Sequence, residues 1–338
     1  MEARATRSSS RSRRRADPLA AARDVDVPSL VAAAREGSPR AVARLISLVE
    51  DAHPALREVM VALAGDTGRA HVVGITGAPG VGKSTTTNAL VTALRARGDR
   101  VGVLAVDPSS PFSGGALLGD RIRMSEHAAD PEVFIRSMAS RGHLGGLSWA
   151  APQALRVLDA AGCDVVLLET VGVGQSEVEV AGTADTTVVV LAPGLGDGVQ
   201  AAKAGILEVA DVLVVNKADR EGASGTTRDL RHVVAMAARD ESDWRPPVVR
   251  TVATSGEGVA ELLGAIDGHR RHLGDEGLRR RRLHRAAREV EGLALEVLRA
   301  RVGGLDGGDR LDALAAEGVD GRTDAWSAAA RLVEAVGG

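Results

Sequence analysis

HVVGITGAPGVGKST, residues 71 to 85, decides how the rest of the chain is read. The β-branched run HVVGIT reads as a buried strand, the glycine-rich GAPGVG as a tight turn, and STTTNALVTALRAR as a helix that opens on it. In that strand, turn and helix context the pattern G-x-x-x-x-G-K-[ST] is a phosphate-binding loop. Gly77, Ala78, Pro79, Gly80, Val81, Gly82, Lys83, Ser84 and Thr85 supply it. Backbone N–H groups curl around phosphate oxygens, and the helix N-terminus adds partial positive charge. Lys83 is placed to reach the terminal phosphates, and Ser84 to offer a hydroxyl to Mg2+. The ligand implied is a nucleoside triphosphate.

Outward from this loop, residues 69 to 270 alternate short apolar runs with helical or glycine-rich segments. The further strand candidates are RVGVLAVD, VFIRS, CDVVLLET, TTVVVLAP, DVLVVN and PVVRTVA. Nearly continuous apolar strands in βα alternation imply an α/β fold of the P-loop NTPase kind, its mainly parallel sheet covered by helices on both faces. Ligands of such sheets bind at the carboxyl ends of the strands. The remaining motifs fall at such ends.

The strand DVLVV runs into NKAD, residues 216 to 219. Guanine presents N1–H and an exocyclic amine as adjacent donors, a pair that one carboxylate accepts in bidentate fashion and that adenine lacks. Asp219 is assigned that role. Asn216 would tie the loop to the P-loop, the stem of Lys217 would lie over the base, and Thr254, Ser255 and Gly256 would close the pocket with backbone amides. Together these residues select GTP, with GDP as product.

Hydrolysis also needs a metal shell, a positioned water and a sensor of the γ-phosphate. Asp107 ends the strand RVGVLAVD, Asp120 follows the loop PSSPFSGGALLG, and Glu169 ends VVLLE. With Ser84 they form the expected Mg2+ set, some acting through water. In the stretch ETVGVGQSE, Gly172 is positioned to give its N–H to a γ-phosphate, which makes the segment a switch that GTP holds and GDP releases. Lys83, Glu169 and Gln175 are the candidates for catalysis; Gln175 serves either hydrolysis or coupling, beside Ser176 and Glu177.

Composition narrows the alternatives. The 338 residues are 44% hydrophobic but only 1% aromatic, with no Tyr, so the core is aliphatic and stacking on nucleic-acid bases is disfavoured. A net charge of -3 points to no polyanionic partner. Of 42 Lys and Arg only Lys83, Lys203 and Lys217 are lysines, which suggests sites where a compact ammonium is required. The single cysteine, Cys163, beside an apolar run, reads as a small buried hydrophobe. The chain has no apolar run of about 18 residues and no signal-peptide pattern, so it is expected to be soluble and cytoplasmic.

The flanks read differently. Residues 1 to 16 form an Arg/Ser-rich tail expected to be disordered, with a nucleic-acid arm or transit peptide as competing readings. Residues 17 to 68 form a helical preface, with Leu45, Ile46, Leu48 and Val49 on its apolar face. Residues 271 to 338 are expected to be a helical dimerisation arm with a stripe through Leu283, Ala287, Val290, Leu293 and Val297. The basic run Arg279 to Arg282 within it reads as a solvated face.

DPSSPFSGGALLGDRIRM (107 to 124), FIRSMASRGHLGGLS (134 to 148), ETVGVGQSEVEVA (169 to 181) and NKAD closely resemble the MeaB/ArgK family of GTPases, over about residues 30 to 275. The resemblance implies a SIMIBI-type GTPase and a homodimer joined through C-terminal helices. It also implies a chaperone that gates adenosylcobalamin loading into methylmalonyl-CoA mutase, ejects inactivated cobalamin and protects the enzyme, with a cobalamin adenosyltransferase as a further partner. By the same resemblance Gly77 to Thr85, Asp219 and Thr254 to Gly256 contact nucleotide, while Ser84, Asp107, Asp120 and Glu169 serve the metal. Gln175, Ser176, Glu177 and the loop toward Lys203 look like coupling switches. Gly198 and Trp326, which stands where the family often carries Pro-Tyr, depart from the pattern. His143 and Gly146 have the spacing of a cobalamin-ligand loop, but Arg141 stands where that loop needs an acid, so both Arg141 and His143 are read as partner-facing, switch or plain turn residues. Competing functions are a GTPase chaperone for another acyl-CoA mutase, a metal-insertion GTPase, which would want a Cys/His cluster, and an ATPase of basic amino-acid transport, against which NKAD argues. A nucleic-acid-associated G protein built on the Arg-rich segments is the fourth.

Overall fold

The structure is a computed structural model that describes residues 25–108, 125–127, 129–140, 150–170, 180, 182–194, 208–237, 243–301 and 309–334. Among these residues seven strands form one parallel sheet: β1 (His71–Thr76), β2 (Val101–Pro108), β3 (Val133–Ser140), β4 (Val165–Thr170), β5 (Thr186–Leu191), β6 (Val212–Asn216) and β7 (Val248–Thr251). Their order is β3-β2-β4-β1-β5-β6-β7. All seven expected strands are present, and β1 lies between β4 and β5, with Ile75 beside Glu169 and Val188.

Strand periodicity splits the sheet's side chains between two cores. On one face Leu104, Leu168 and Val166 meet α2 (Pro39–Glu50), α3 (Leu56–Leu63) and α5 (Ala150–Ala160) through Leu45, Leu48, Leu63 and Leu158. On the other, Ile75, Leu167, Val188 and Val214 meet α4 (Lys83–Ala96) and α7 (Val259–Arg301) through Leu90, Leu94, Leu262 and Ile266. A smaller cluster under α6 (Ala223–Ala237) joins Leu213 and Val215 to Leu230. Each fully buried leucine is worth about 1.5–3 kcal/mol, so an aliphatic core suffices without aromatic rings.

The helical preface consists of three α-helices among the described residues. α1 (Val27–Arg35) is capped by Asp26, whose carboxylate accepts Ser29 N, and the chain leaves it at Gly37 with φ 81. Ser38 then caps α2, with Pro39 in its first turn. Glycine after a helix and Ser-Pro before the next is the stop and start signal, legible in EGSPR.

The carboxyl side corrects one expectation, the solvated reading of Arg279 to Arg282. α7 runs through residue 270 and has a break at Gly274, whose φ 56 and ψ -171 leave the helical region. Beyond that break not all four arginines are solvated. Arg281 pairs with Asp211 at 2.7 Å, and Arg282 with Asp185 at 2.9 Å. Both acids sit at the amino ends of strands, where they also accept strand N–H groups, Thr187 N on Asp211 and Val72 N on Asp185. Burial alone would raise the Asp185 pKa, but hydrogen bonds from Arg282 and the charges of Arg285 and Arg282 hold it below the usual aspartate value. Beyond α7, α8 (Asp309–Val319) and α9 (Ala325–Glu334) pack on each other, with Arg331 paired to Glu317 at 2.6 Å. No helix among the described residues is long and apolar enough to cross a membrane.

Thr186 links His71 on β1 to His269 on α7, with Oγ1 at 2.9 Å from His71 Nε2 and 2.8 Å from His269 Nδ1. Burial pushes the His71 pKa down to about 4, against a smaller upward pull from Asp185 and with help from the positive charge of Arg270 and Arg282. The unfolded chain, with an ordinary histidine, binds the extra proton first. The contribution of His71 to stability is therefore complete above about pH 6.5 and is lost as the pH falls from there to about 4, a change of about 3 kcal/mol. Urea midpoints measured across this window should show that slope, and His71→Asn should remove it.

Candidate functional site

The P-loop follows β1 without a spacer. Gly77 has φ 140, and a Cβ there would stand 2.1 Å from the Val190 carbonyl oxygen of β5; Gly82 has φ 100, and its Cβ would stand 2.3 Å from Asn216 Nδ2. Both a left-handed conformation and close contact exclude side chains at these two positions. Lys83 is buried, and its Nζ donates to Gly77 O at 2.8 Å and Ala78 O at 3.1 Å. The side chain thus arches back over the loop, its ammonium held by the loop's own carbonyls.

β4 delivers Glu169 beside the same helix start. Ser84 Oγ donates to Glu169 Oε1 at 2.6 Å, and Thr87 Oγ1 to Oε2 at 2.8 Å. Glu169 is only 3% exposed, so these hydroxyl bonds offset the cost of burying its charge. Ser84 and Glu169 are the two expected metal residues whose side chains are described, and they meet. Their oxygen donors are of the hard type that Mg2+ takes. Asp107 is at the end of β2, two residues beyond Ala105, the partner of Glu169 in register; its side chain lies outside the described residues. So do Asp120, Gly172, Gln175, Ser176, Glu177 and Lys203, and likewise Arg141 and His143. Among the described residues no three His, Cys, Asp or Glu side chains form a metal-binding group.

Asn216 ends β6 and joins three segments. Its Nδ2 donates to Val81 O at 2.9 Å, while its Oδ1 accepts Thr251 Oγ1 and Ala253 N, both at 3.1 Å. Lys217 has φ 56 and reaches across to Gly80 O at 2.6 Å, which lays its stem over the P-loop. Arg250 Nη2 donates to Ala218 O at 3.0 Å, and Ala218 N to Thr251 O. Asp219 is exposed in this clasped loop. Thr254, Ser255 and Gly256 form an exposed turn closed by the Val252 to Glu257 bridge. The phosphate loop and the expected base loop therefore form one hydrogen-bonded unit.

Sequence reasoning missed Thr87 and Arg250. Thr87 is three residues past Ser84 on a helix that starts at the P-loop, the one signal available for it. Arg250 carried none. Cys163 is buried as expected, and burial pushes its thiol pKa up to about 12, so it holds no thiolate at neutral pH.

The model of the family described as methylmalonyl-CoA mutase-associated GTPase MeaB matches residues 42–304. A putative GTPase of Pyrococcus abyssi is 50% identical over 279 residues, covering 82% of this chain and 86% of that protein. A probable GTPase of Mycobacterium tuberculosis is 46% identical over 267 residues, covering 77% of this chain and 80% of that one. The crystal structure of an LAO/AO transport system kinase superposes with a TM-score of 0.69 at 26% identity, over 93% of this chain and 99% of the other. With its parallel sheet, P-loop and guanine-type NKAD loop, the chain belongs to the MeaB family and is a P-loop GTPase.

Proposed function

We propose that this GTPase is a G-protein chaperone that gates adenosylcobalamin loading, protection and reactivation of methylmalonyl-CoA mutase. The observation that carries this is the match to a mutase-associated family over residues 42–304, a span that includes the whole nucleotide site. A cobalamin adenosyltransferase is the natural further partner, and the cytoplasm the compartment. The reading includes a homodimer, supported by Leu283 at 64%, Val290 at 68% and Leu293 at 39% exposure along the second half of α7. A row of exposed apolar side chains along one stretch of helix is what a second copy would cover.

Mg2+ completes the site and, when bound, neutralises phosphate charge. Ser84 and Glu169 would hold it, with Asp107 and Asp120. Lys83 places a fixed ammonium in the phosphate concavity, where it offsets charge that builds on the transferring phosphoryl group. Asn216 keeps the base loop in register with the P-loop, so that binding of the correct base positions the phosphates. Gln175 orients the attacking water or couples the switch to the mutase.

The test is hydrolysis of GTP and of ATP by the purified protein, with and without methylmalonyl-CoA mutase. The expected result is GTP-selective turnover, on the order of 10⁻⁴ to 10⁻² per second alone, as for switch GTPases without a supplied arginine. It should rise several-fold with the mutase. GTP turnover indifferent to the mutase would assign another client, and selective ATP turnover would favour the transport-kinase reading that the solved relative's name suggests.

A further inference from the structure

We propose that Thr87 is a positioning residue for the Ser84–Glu169 pair, setting how tightly the site takes Mg2+; this rests on the Mg2+ reading above. Ser84 and Thr87 are three residues apart at the start of α4, hence on one helix face, and that face meets the end of β4. Each donates a hydroxyl to a different oxygen of Glu169. The carboxylate is thus pinned at both ends. A carboxylate held by one oxygen can rotate about its last torsion, but one held by both cannot. With Glu169 fixed, the hydrogen bond it accepts from Ser84 also fixes the direction of the Ser84 hydroxyl, the group that would meet a cation.

Thr87 has a second acceptor within reach. Its Oγ1 is also 3.0 Å from Lys83 O, one turn back in its own helix. A hydroxyl has one proton, and the charged acceptor takes the stronger bond. The backbone carbonyl is a fallback, so the hydroxyl is never orphaned if Glu169 turns away. The cost of losing the contact falls on Glu169, which stays buried and gives up one of the hydroxyls that fix it. Thr87→Val keeps the β-branched shape and removes only the donor, while Thr87→Ser keeps the donor.

The experiment is binding of a fluorescent GDP analogue to the full chain, titrated with MgCl2 from an EDTA baseline, for the wild type, T87V and T87S. T87V should need about tenfold more Mg2+ to reach half of its effect on GDP affinity, the size of one hydrogen bond to a charged group. Its affinity in EDTA should match the wild type, and T87S should restore the Mg2+ response. A T87V response equal to that of the wild type overturns the proposal. So does an equal loss of GDP affinity in EDTA and in Mg2+, which would make Thr87 a packing residue. A wild type whose GDP binding ignores Mg2+ overturns the metal assignment itself, a separate and recognisable failure.

Discussion

Lys83→Ala is expected to abolish GTP turnover, with kcat/KM lowered by at least about a thousandfold, or about 4 kcal/mol. The size follows from where the ammonium sits. Lys83 is buried and held by Gly77 O and Ala78 O, so it is already desolvated and oriented before a nucleotide arrives. Preorganised charge of this kind costs no reorganisation during the reaction, and in a site shielded from water each bond to phosphate is worth more than at a surface. Arginine is no substitute. Its planar guanidinium is too broad for a concavity bounded by loop carbonyls, so Lys83→Arg should fail nearly as badly. Single-turnover hydrolysis, with thermal melting as a control for folding, checks both. A folded Lys83→Ala protein within tenfold of wild-type turnover would refute the role.

Asp219→Asn should lower the preference for GTP over ATP by about a thousandfold, the size of one lost hydrogen bond to a charged group together with the penalty of an unpaired donor. In the role proposed for Asp219, the carboxylate would accept from N1–H and from the exocyclic amine of guanine together. Asparagine keeps one acceptor and turns a donor toward the amine, so one bond is lost and a donor faces a donor. Xanthosine triphosphate, which carries a carbonyl at that position, should be preferred by the variant. Competition binding with the three nucleotides measures the switch. Undiminished GTP selectivity would move base reading away from Asp219 to the turn at Thr254 to Gly256.

Much of this is legible in the chain before any coordinates. The central strands β1, β4, β5 and β6 announce themselves as short β-branched runs, because a strand buried on both faces has no polar side to interrupt it. The bond from Asn216 to the P-loop is expected from NKAD following a buried strand, and it is present at Val81 O. The preface is only half legible from periodicity: its apolar face stands out, while the break at Gly37-Ser38-Pro39 shows only in the local stop and start signals. The basic run at Arg279 to Arg282 misleads for a different reason. A charged helix face looks alike whether water or an acid covers it, and the acids here, Asp185 and Asp211, are about a quarter of the chain away in sequence and reach it only because they start β5 and β6.

The sequence by itself determined the α/β class, the P-loop and NKAD motifs and the family, because each is written in contiguous residues whose local chemistry suffices. Only the tertiary structure decided who meets whom. It placed Glu169 against Ser84 and Thr87, more than eighty residues apart. It also set β1 between β4 and β5 and closed the His71, Thr186 and His269 chain beneath the sheet. Periodicity tells a residue that it will be buried; the partner that satisfies its charge or hydroxyl depends on strand order, and strand order is a property of the whole packed sheet.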